Sequence, residues 1–311
     1  MGFFFQGYNV VTVLTLLALI VCVLLANEIT RRSKIVSVVT FVVIPIIIFV
    51  LCVPLKLLGS PSGQTWFGWV KAVSALVGVL GFMAIRFTSF GKKKYAYYFP
   101  VAIFGLNIVE AVYRDIEVYL NYQTPTWDEA GLYLQGGPWN LINAVAGVFL
   151  LLSMTGWMGI KVAKTKSQDM IWPDQLWFMI IAYDLWNISY CYNSISTRAM
   201  YAGVAIIIAC SLGVFFGHRG AWLQDRAQTL AIFATFSLVV DYQQFDAFGI
   251  TSTYNPNAMM VVAILSLVAN FSVFVYNLYI VYKYKKNPLK EEMYTHLSGY
   301  QKTIQANNLE A

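Results

Sequence analysis

The sequence predicts an all-α, polytopic integral membrane protein. It reads as one helical bundle of about nine transmembrane helices, with the N-terminus outside and the C-terminus cytoplasmic. Three observations carry this. Of 311 residues, 59% are hydrophobic and only 12% charged, against about 25% charged in a soluble domain. Mean hydropathy is +0.62, and apolar runs recur at the ~20-residue length that crosses a bilayer. The basic residues concentrate in alternate loops, as orientation in a membrane requires. This composition excludes an ordinary cytoplasmic enzyme, a disordered chain and a soluble nucleic-acid binder.

The first apolar stretch covers roughly 8–26. Residues 1–27 contain no Lys or Arg, so it lacks the positive leading region of a cleavable signal and is read as a span. Further spans are expected at 35–58, 66–88, 96–121, 138–160, 172–194, 199–217, 228–247 and 257–282. With the N-terminus outside, the first two cytoplasmic loops carry Arg31, Arg32 and Lys34, then Arg86, Lys92, Lys93 and Lys94. The next two carry Lys161, Lys164 and Lys166, then Arg219 and Arg226; the tail adds Lys283, Lys285, Lys286, Lys290 and Lys302. Only Lys56, Lys71, Arg114 and Arg198 are left for the spans and the outside. The net charge of +6 and pI near 9.0 therefore reflect topology rather than a nucleic-acid surface.

Residues 1–282 read as a single transmembrane domain and 283–311 as a polar cytoplasmic tail. Asn287-Pro288 ends the last helix, and 289–305 is expected to form a short surface helix in which His296 is solvated. The loop 121–137 is external, aromatic and mildly acidic through Asp128 and Glu129. The four cysteines, Cys22, Cys52, Cys191 and Cys210, lie in apolar segments without a CxxC pair. Neither a zinc site nor a disulfide framework is indicated, and inert core thiols are expected.

An ionisable residue inside a span is costly and marks a candidate functional site. In the fourth span Asn107, Glu110, Arg114, Glu117 and Asn121 recur at steps of three and four, which stacks them on one helix face. Glu110 and Arg114 are spaced to pair, while Asp115 points elsewhere, toward a different helix. In the sixth span Asp184, Asn187, Cys191 and Ser194 share a face, flanked by Tyr183, Trp186, Tyr190 and Asn193. Asp184 lies about 18 Å and Glu110 about 21 Å from the starts of their spans, at ~1.5 Å per residue, hence at similar depth. Asn140 and Asn143 enter from the fifth span, and Asp241, Gln243 and Asn270 are placed to close a ring. For the asparagines, interhelical hydrogen bonding worth about 1 kcal/mol or less is the plainer role. Asp241 is as readily an outer-loop residue. His218 and Arg219 are read as anchors at the cytoplasmic interface.

Absent motifs narrow the chemistry. The chain has no GxxxxGK[ST], no HExxH and no dinucleotide fingerprint. Two histidines are too few for a histidine-rich diiron centre, and the last span lacks a mid-helix lysine for a retinal Schiff base. No metal or cofactor is called for. What remains for an enzyme is acid–base chemistry by carboxylates, arginine and tyrosine.

Five stretches carry a resemblance over nearly the whole chain. They are Asn107–Glu117 (NIVEAVYRDIE), Gly136–Asn143 (GGPWNLIN), Gly156–Ile160 (GWMGI), Asp169–Asn193 (DMIWPDQLWFMIIAYDLWNISYCYN) and Gly220–Ala231 (GAWLQDRAQTLA). Together they resemble a bacterial multipass membrane family of largely unassigned function, some members of which are associated with membrane-bound linoleate isomerases. The resemblance implies a plasma-membrane, cofactor-independent isomerase moving a double bond in an unsaturated fatty acid. It carries no catalytic assignment. From the stripe argument, Glu110 and Asp184 are the expected proton exchangers. Arg114 is expected to hold the fatty-acid carboxylate or tune Glu110. Asn107, Glu117, Asn140, Asn143, Tyr183, Trp186, Asn187, Tyr190, Asp241 and Asn270 are expected to contact substrate. The bilayer and an unsaturated fatty acid or similar amphiphile are the expected partners. A proton-coupled transporter of a small or amphiphilic solute is the alternative, since intramembrane carboxylates with arginine also build proton relays.

Overall fold

The computed structural model describes residues 2–55, 57, 59–128 and 131–310, except the side chain of Phe67. Lys56 and Glu129, named above, lie outside the described residues. The fold is all-α. Helix α1 (Val10–Arg32) starts at Asn9, whose side chain accepts from the Thr12 amide while Thr12 caps it in return. A second helical run, Lys34–Cys52, contains α2 (Lys34–Val38) and α3 (Ile44–Ile47) separated and followed by π-helical turns. Then come α4 (Trp66–Phe87), α5 (Tyr98–Asn121), α6 (Pro138–Leu152) and α7 (Trp177–Ser194). A π turn, Ala199–Ala205, leads into α8 (Ile206–Phe216), followed by α9 (Trp222–Val239), α10 (Pro256–Tyr284) and α11 (Ser298–Ala306).

Among the described residues, six helical segments are long and apolar enough to cross a membrane: α1, Lys34–Cys52, α4, α5, Ser196–Phe216 and α10. Helix α6 is apolar but shorter, at 15 residues. Several expected boundaries shift. Helix α6 stops at Leu152 rather than near 160, and α7 begins at Trp177 because residues 172–176 form a turn. Helix α9 begins at Trp222, six residues before the expected 228. In the tail, the helix is confined to Ser298–Ala306.

Helices α6 and α7 pack on α10, α5 on α6, α4 on α9, and α1 on α8 and α9. Lys34–Cys52 is peripheral. It buries Ser37, Phe41, Pro45 and Ile48 on one face, with Phe41 set among Ala75, Leu76, Val79 and Ala231. On α1, Val10, Leu14, Leu17, Val21 and Leu25 are exposed, the surface a helix offers to lipid. Among the described residues, three antiparallel two-stranded ladders brace the loops: β1 (Phe5–Gln6) with β6 (Thr251–Ser252), β2 (Thr126–Trp127) with β3 (Tyr133–Leu134), and β4 (Lys161–Val162) with β5 (Met170–Ile171). An aromatic core holds α5, α7 and α9 together, with Phe104 5.5 Å from Tyr183 and Tyr183 4.7 Å from Trp222 between ring centroids.

Candidate functional site

A cavity of about 120 Å³ lies among α4, α5, α7 and α9. Its polar wall comes from Lys71 of α4, Asn107 of α5, Asn187 and Tyr190 of α7, and Arg226 of α9, with Ser62, Arg198 and Tyr242 at one end. Ala111, Leu132, Ile195, Leu230, Phe233 and Ala234 supply an apolar wall. Among the described residues, three cations line it and no acidic side chain does.

Arg226 is its most constrained residue. It sits in the second turn of α9, 6% exposed, with Nε donating to Tyr183 Oη at 3.2 Å and Nη2 to Asn187 Oδ1 at 3.4 Å. Its guanidinium carbon stands 5.8 Å from the Tyr183 ring centroid. These partners are neutral, and Arg226 makes no ion pair among the described residues. Its Nη1 has no hydrogen-bond partner among them, and neither have Tyr190 Oη and Tyr242 Oη. All three residues line the cavity. Buried charge and buried donors are normally compensated. A buried guanidinium and two unpartnered hydroxyls on residues of one cavity wall suit an anion or strong acceptor.

Lys71 Nζ donates to Glu110 Oε2 at 2.9 Å and lies 6.0 Å from the Tyr190 ring centroid. Arg198 Nε donates to Gln243 Oε1 at 2.5 Å, and the same guanidinium binds Ser62 Oγ.

The expected stripe on α5 divides. Asn107 lines the cavity, and Glu110, its side chain 14% exposed, stands behind Lys71. The expected Glu110–Arg114 pair is not formed. Arg114 turns to Glu117 at 2.8 Å and Asp128 at 3.0 Å, because the β2–β3 loop folds back over it and a nearer cation satisfies Glu110. On α7, Asn187, Tyr190 and Cys191 face the cavity. Asp184 does not, because its Oδ2 accepts from Ser211 of α8 at 2.6 Å. Tyr183 is off this cavity's wall and accepts from Arg226, and Trp186 stacks on Tyr190 at 6.3 Å. Asp241 lies past the end of α9 in the loop, off the cavity wall.

The asparagines are interhelical ties. Asp115 is fully buried and accepts from Asn143 Nδ2 at 2.7 Å, Ser194 Oγ at 2.6 Å and Asn140 Nδ2 at 3.4 Å. Asn143 Oδ1 accepts from Ser266 at 2.8 Å, and Asn270 donates to the Ala182 and Ser266 carbonyls, each at 2.9 Å. This knot joins α5, α6, α7 and α10 beside the cavity, and it places Asp115 against other helices, as its position on α5 suggests.

Arg31 and Arg86, expected in loops, are buried instead. Asp169 Oδ2 lies 2.5 Å from Arg31 Nη1, and its Oδ1 lies 3.6 Å from Arg86 Nη2. His218 stands 2.7 Å from Asp225 and 3.3 Å from Glu28. Asp225 is the larger favourable influence and raises the His218 pKa against the lowering effect of burial.

Sequence reasoning missed Lys71, Arg198, Arg226 and Tyr242. Lys71 did carry a signal, being an ionisable residue inside an apolar span. Arg226 was hidden because Gln224, Asp225 and Gln228 depress the local hydropathy, so the expected span began after it.

Residues 6–306 match a protein family described as a family of unknown function (DUF5692). No curated protein and no solved structure matches the chain.

Proposed function

The chain belongs to the DUF5692 family, and we propose that it is a bacterial plasma-membrane protein that takes an unsaturated fatty acid, or a similar anionic amphiphile, into this cavity and moves one of its double bonds. The ligand class is carried by Arg226, a buried guanidinium without an ion pair among the described residues, on the wall of a cavity that Tyr190 and Tyr242, with unpartnered hydroxyls, also line. A carboxylate supplies both the missing charge and the acceptors, and a guanidinium suits its two oxygens. Support for isomerisation is the sequence resemblance alone. The reaction removes a proton from the bis-allylic carbon, shifts the double bond into conjugation and returns a proton to the far alkene carbon. Glu110 and Lys71 form the acid–base pair nearest the cavity, and they replace Glu110 with Asp184 in this role. We further propose nine crossings with the N-terminus outside, a reading supported by the remaining loop lysines and by the apolar faces of the long helices.

Transport is the second reading. It is favoured by the ionisable cluster of Glu28, Arg31, Arg86, Asp169, His218 and Asp225, which adjoins Arg226 along α9. The test supplies linoleate to membranes containing the protein and follows conjugated-diene absorbance alongside saturable binding. Arg226→Ala should weaken binding at least ~30-fold, the loss of about 2 kcal/mol expected when one partner of a buried charge pair is removed. Glu110→Gln should bind without turnover, and Asp184→Asn should behave as wild type. Saturable binding without a conjugated product would remove the isomerase half and favour transport. Absence of binding would remove the ligand itself.

A further inference from the structure

The chain has two histidines, in unlike surroundings. His296 lies in the tail beside Tyr284, with Lys283 and Lys286 acting on it. His218 lies in the turn between α8 and α9, set between two carboxylates. Its Nδ1 stands 2.7 Å from Asp225 Oδ2 and its Nε2 3.3 Å from Glu28 Oε2. A neutral imidazole has a proton on one nitrogen and a lone pair on the other, so it would turn a lone pair toward one of these oxygens. An imidazolium presents N–H to both.

The surrounding charges make the same demand. Glu28 is answered by Arg31 and Arg32 on its own helix, and Asp169 by Arg31 at 2.5 Å and Arg86 at 3.6 Å. Asp225 is fully buried, and its ion-pair partner among the described residues is His218 alone. Asn27 beside it is neutral, and Arg31 and Arg86 act on it through space. The tail meets this turn through another neutral group, Asn307, which donates to the Arg219 carbonyl at 2.8 Å. A buried carboxylate without a counter-charge is costly, so the histidine–aspartate pair holds on to a proton. The Glu28 side chain is 24% exposed and that of His218 11%, so a proton arriving past Glu28 meets the histidine before the buried aspartate.

We propose that His218 is a proton-binding site whose imidazolium clamps the end of α1 to the α8–α9 turn and the first turn of α9. The site is independent of any anion at Arg226. Burial opposes the charge on His218 and Asp225 outweighs it, which raises the pKa from the ordinary 6.5. The clamp is therefore complete below 6.5 and is lost as pH rises through the raised value.

The experiment is an NMR titration of the full chain, labelled at histidine, in lipid nanodiscs, with His296→Gln to assign the two rings. His218 should be protonated at pH 7 and bind its proton at least about tenfold more tightly than His296, one pKa unit. Asp225→Asn should weaken that binding by about tenfold or more, and Glu28→Gln by less. Should Asp225→Asn fail to fold, Glu28→Gln and the wild-type titration decide. Hydrogen exchange at residues 27–32, corrected for intrinsic rate, should accelerate as pH rises through the His218 transition, and His218→Gln should abolish that dependence. A His218 ring that is neutral at pH 7, or one that titrates unchanged in Asp225→Asn, would overturn the proton site. A raised His218 transition with no matching change at 27–32 would overturn the clamp.

Discussion

Asp115 accepts from three side chains contributed by two other helices, and no water-facing route is needed to explain it. In lipid, apolar side chains gain little by leaving one apolar neighbour for another, so packing and interhelical hydrogen bonds hold helices together. Asp115→Ala would leave Asn140, Asn143 and Ser194 short of an acceptor. The expected cost is about 3 kcal/mol, read as a lower unfolding temperature in detergent, with Asp115→Asn milder. A variant as stable as wild type would show that the knot does not brace the bundle. Arg226 differs in kind. Its Nη1 has no partner among the described residues and the residue lines a cavity, which is why the same principle assigns one residue to structure and the other to a ligand. Both are equally polar in the sequence, and only their surroundings separate them.

The tail is an element with a defined seat. Met293, Tyr294, Tyr300 and Ile304 are buried against Leu176 and Ile280. Asp174, in the turn before α7, accepts from the Met293 amide at 2.7 Å and the Tyr294 amide at 3.3 Å. Gly156 makes the close approach possible, with φ +66° and a Cβ position only 2.1 Å from Asp174 Oδ2. Gly156→Ala should therefore loosen the tail. Burial raises the Asp174 carboxyl to about 6, against the lowering effect of the two amides. Its folded-state pKa thus exceeds the ordinary 3.8, so its stabilisation is complete below that value and is lost as pH rises through about 6. Hydrogen exchange of the Met293–Ile304 amides, corrected for intrinsic rate, should accelerate between pH 5 and pH 7. Asp174→Asn should flatten that dependence, and an unchanged pH response in the variant would exclude Asp174 as its source.

At the scale of the molecule, the proposed orientation places the β2–β3 loop outside and the β4–β5 loop inside. With the native cysteines replaced, an impermeant maleimide applied to intact cells should label Thr124→Cys and spare Lys166→Cys. The opposite pattern would invert the topology. The all-α membrane character was legible from composition and from the length of apolar runs, because a bilayer imposes both on every residue of a span regardless of its neighbours. The stacking of Asn107, Glu110 and Arg114 on one side of α5 was likewise legible, because helical periodicity is local. Which partner each of them meets was not. Glu110 pairs with Lys71, 39 residues away, and Asp184 turns to Ser211. Arg226 enters the bundle because α9 begins before its apolar run does. Ion pairs and cavities form between helices distant in the chain, so only tertiary packing decides which polar groups are satisfied and which remain to receive a ligand.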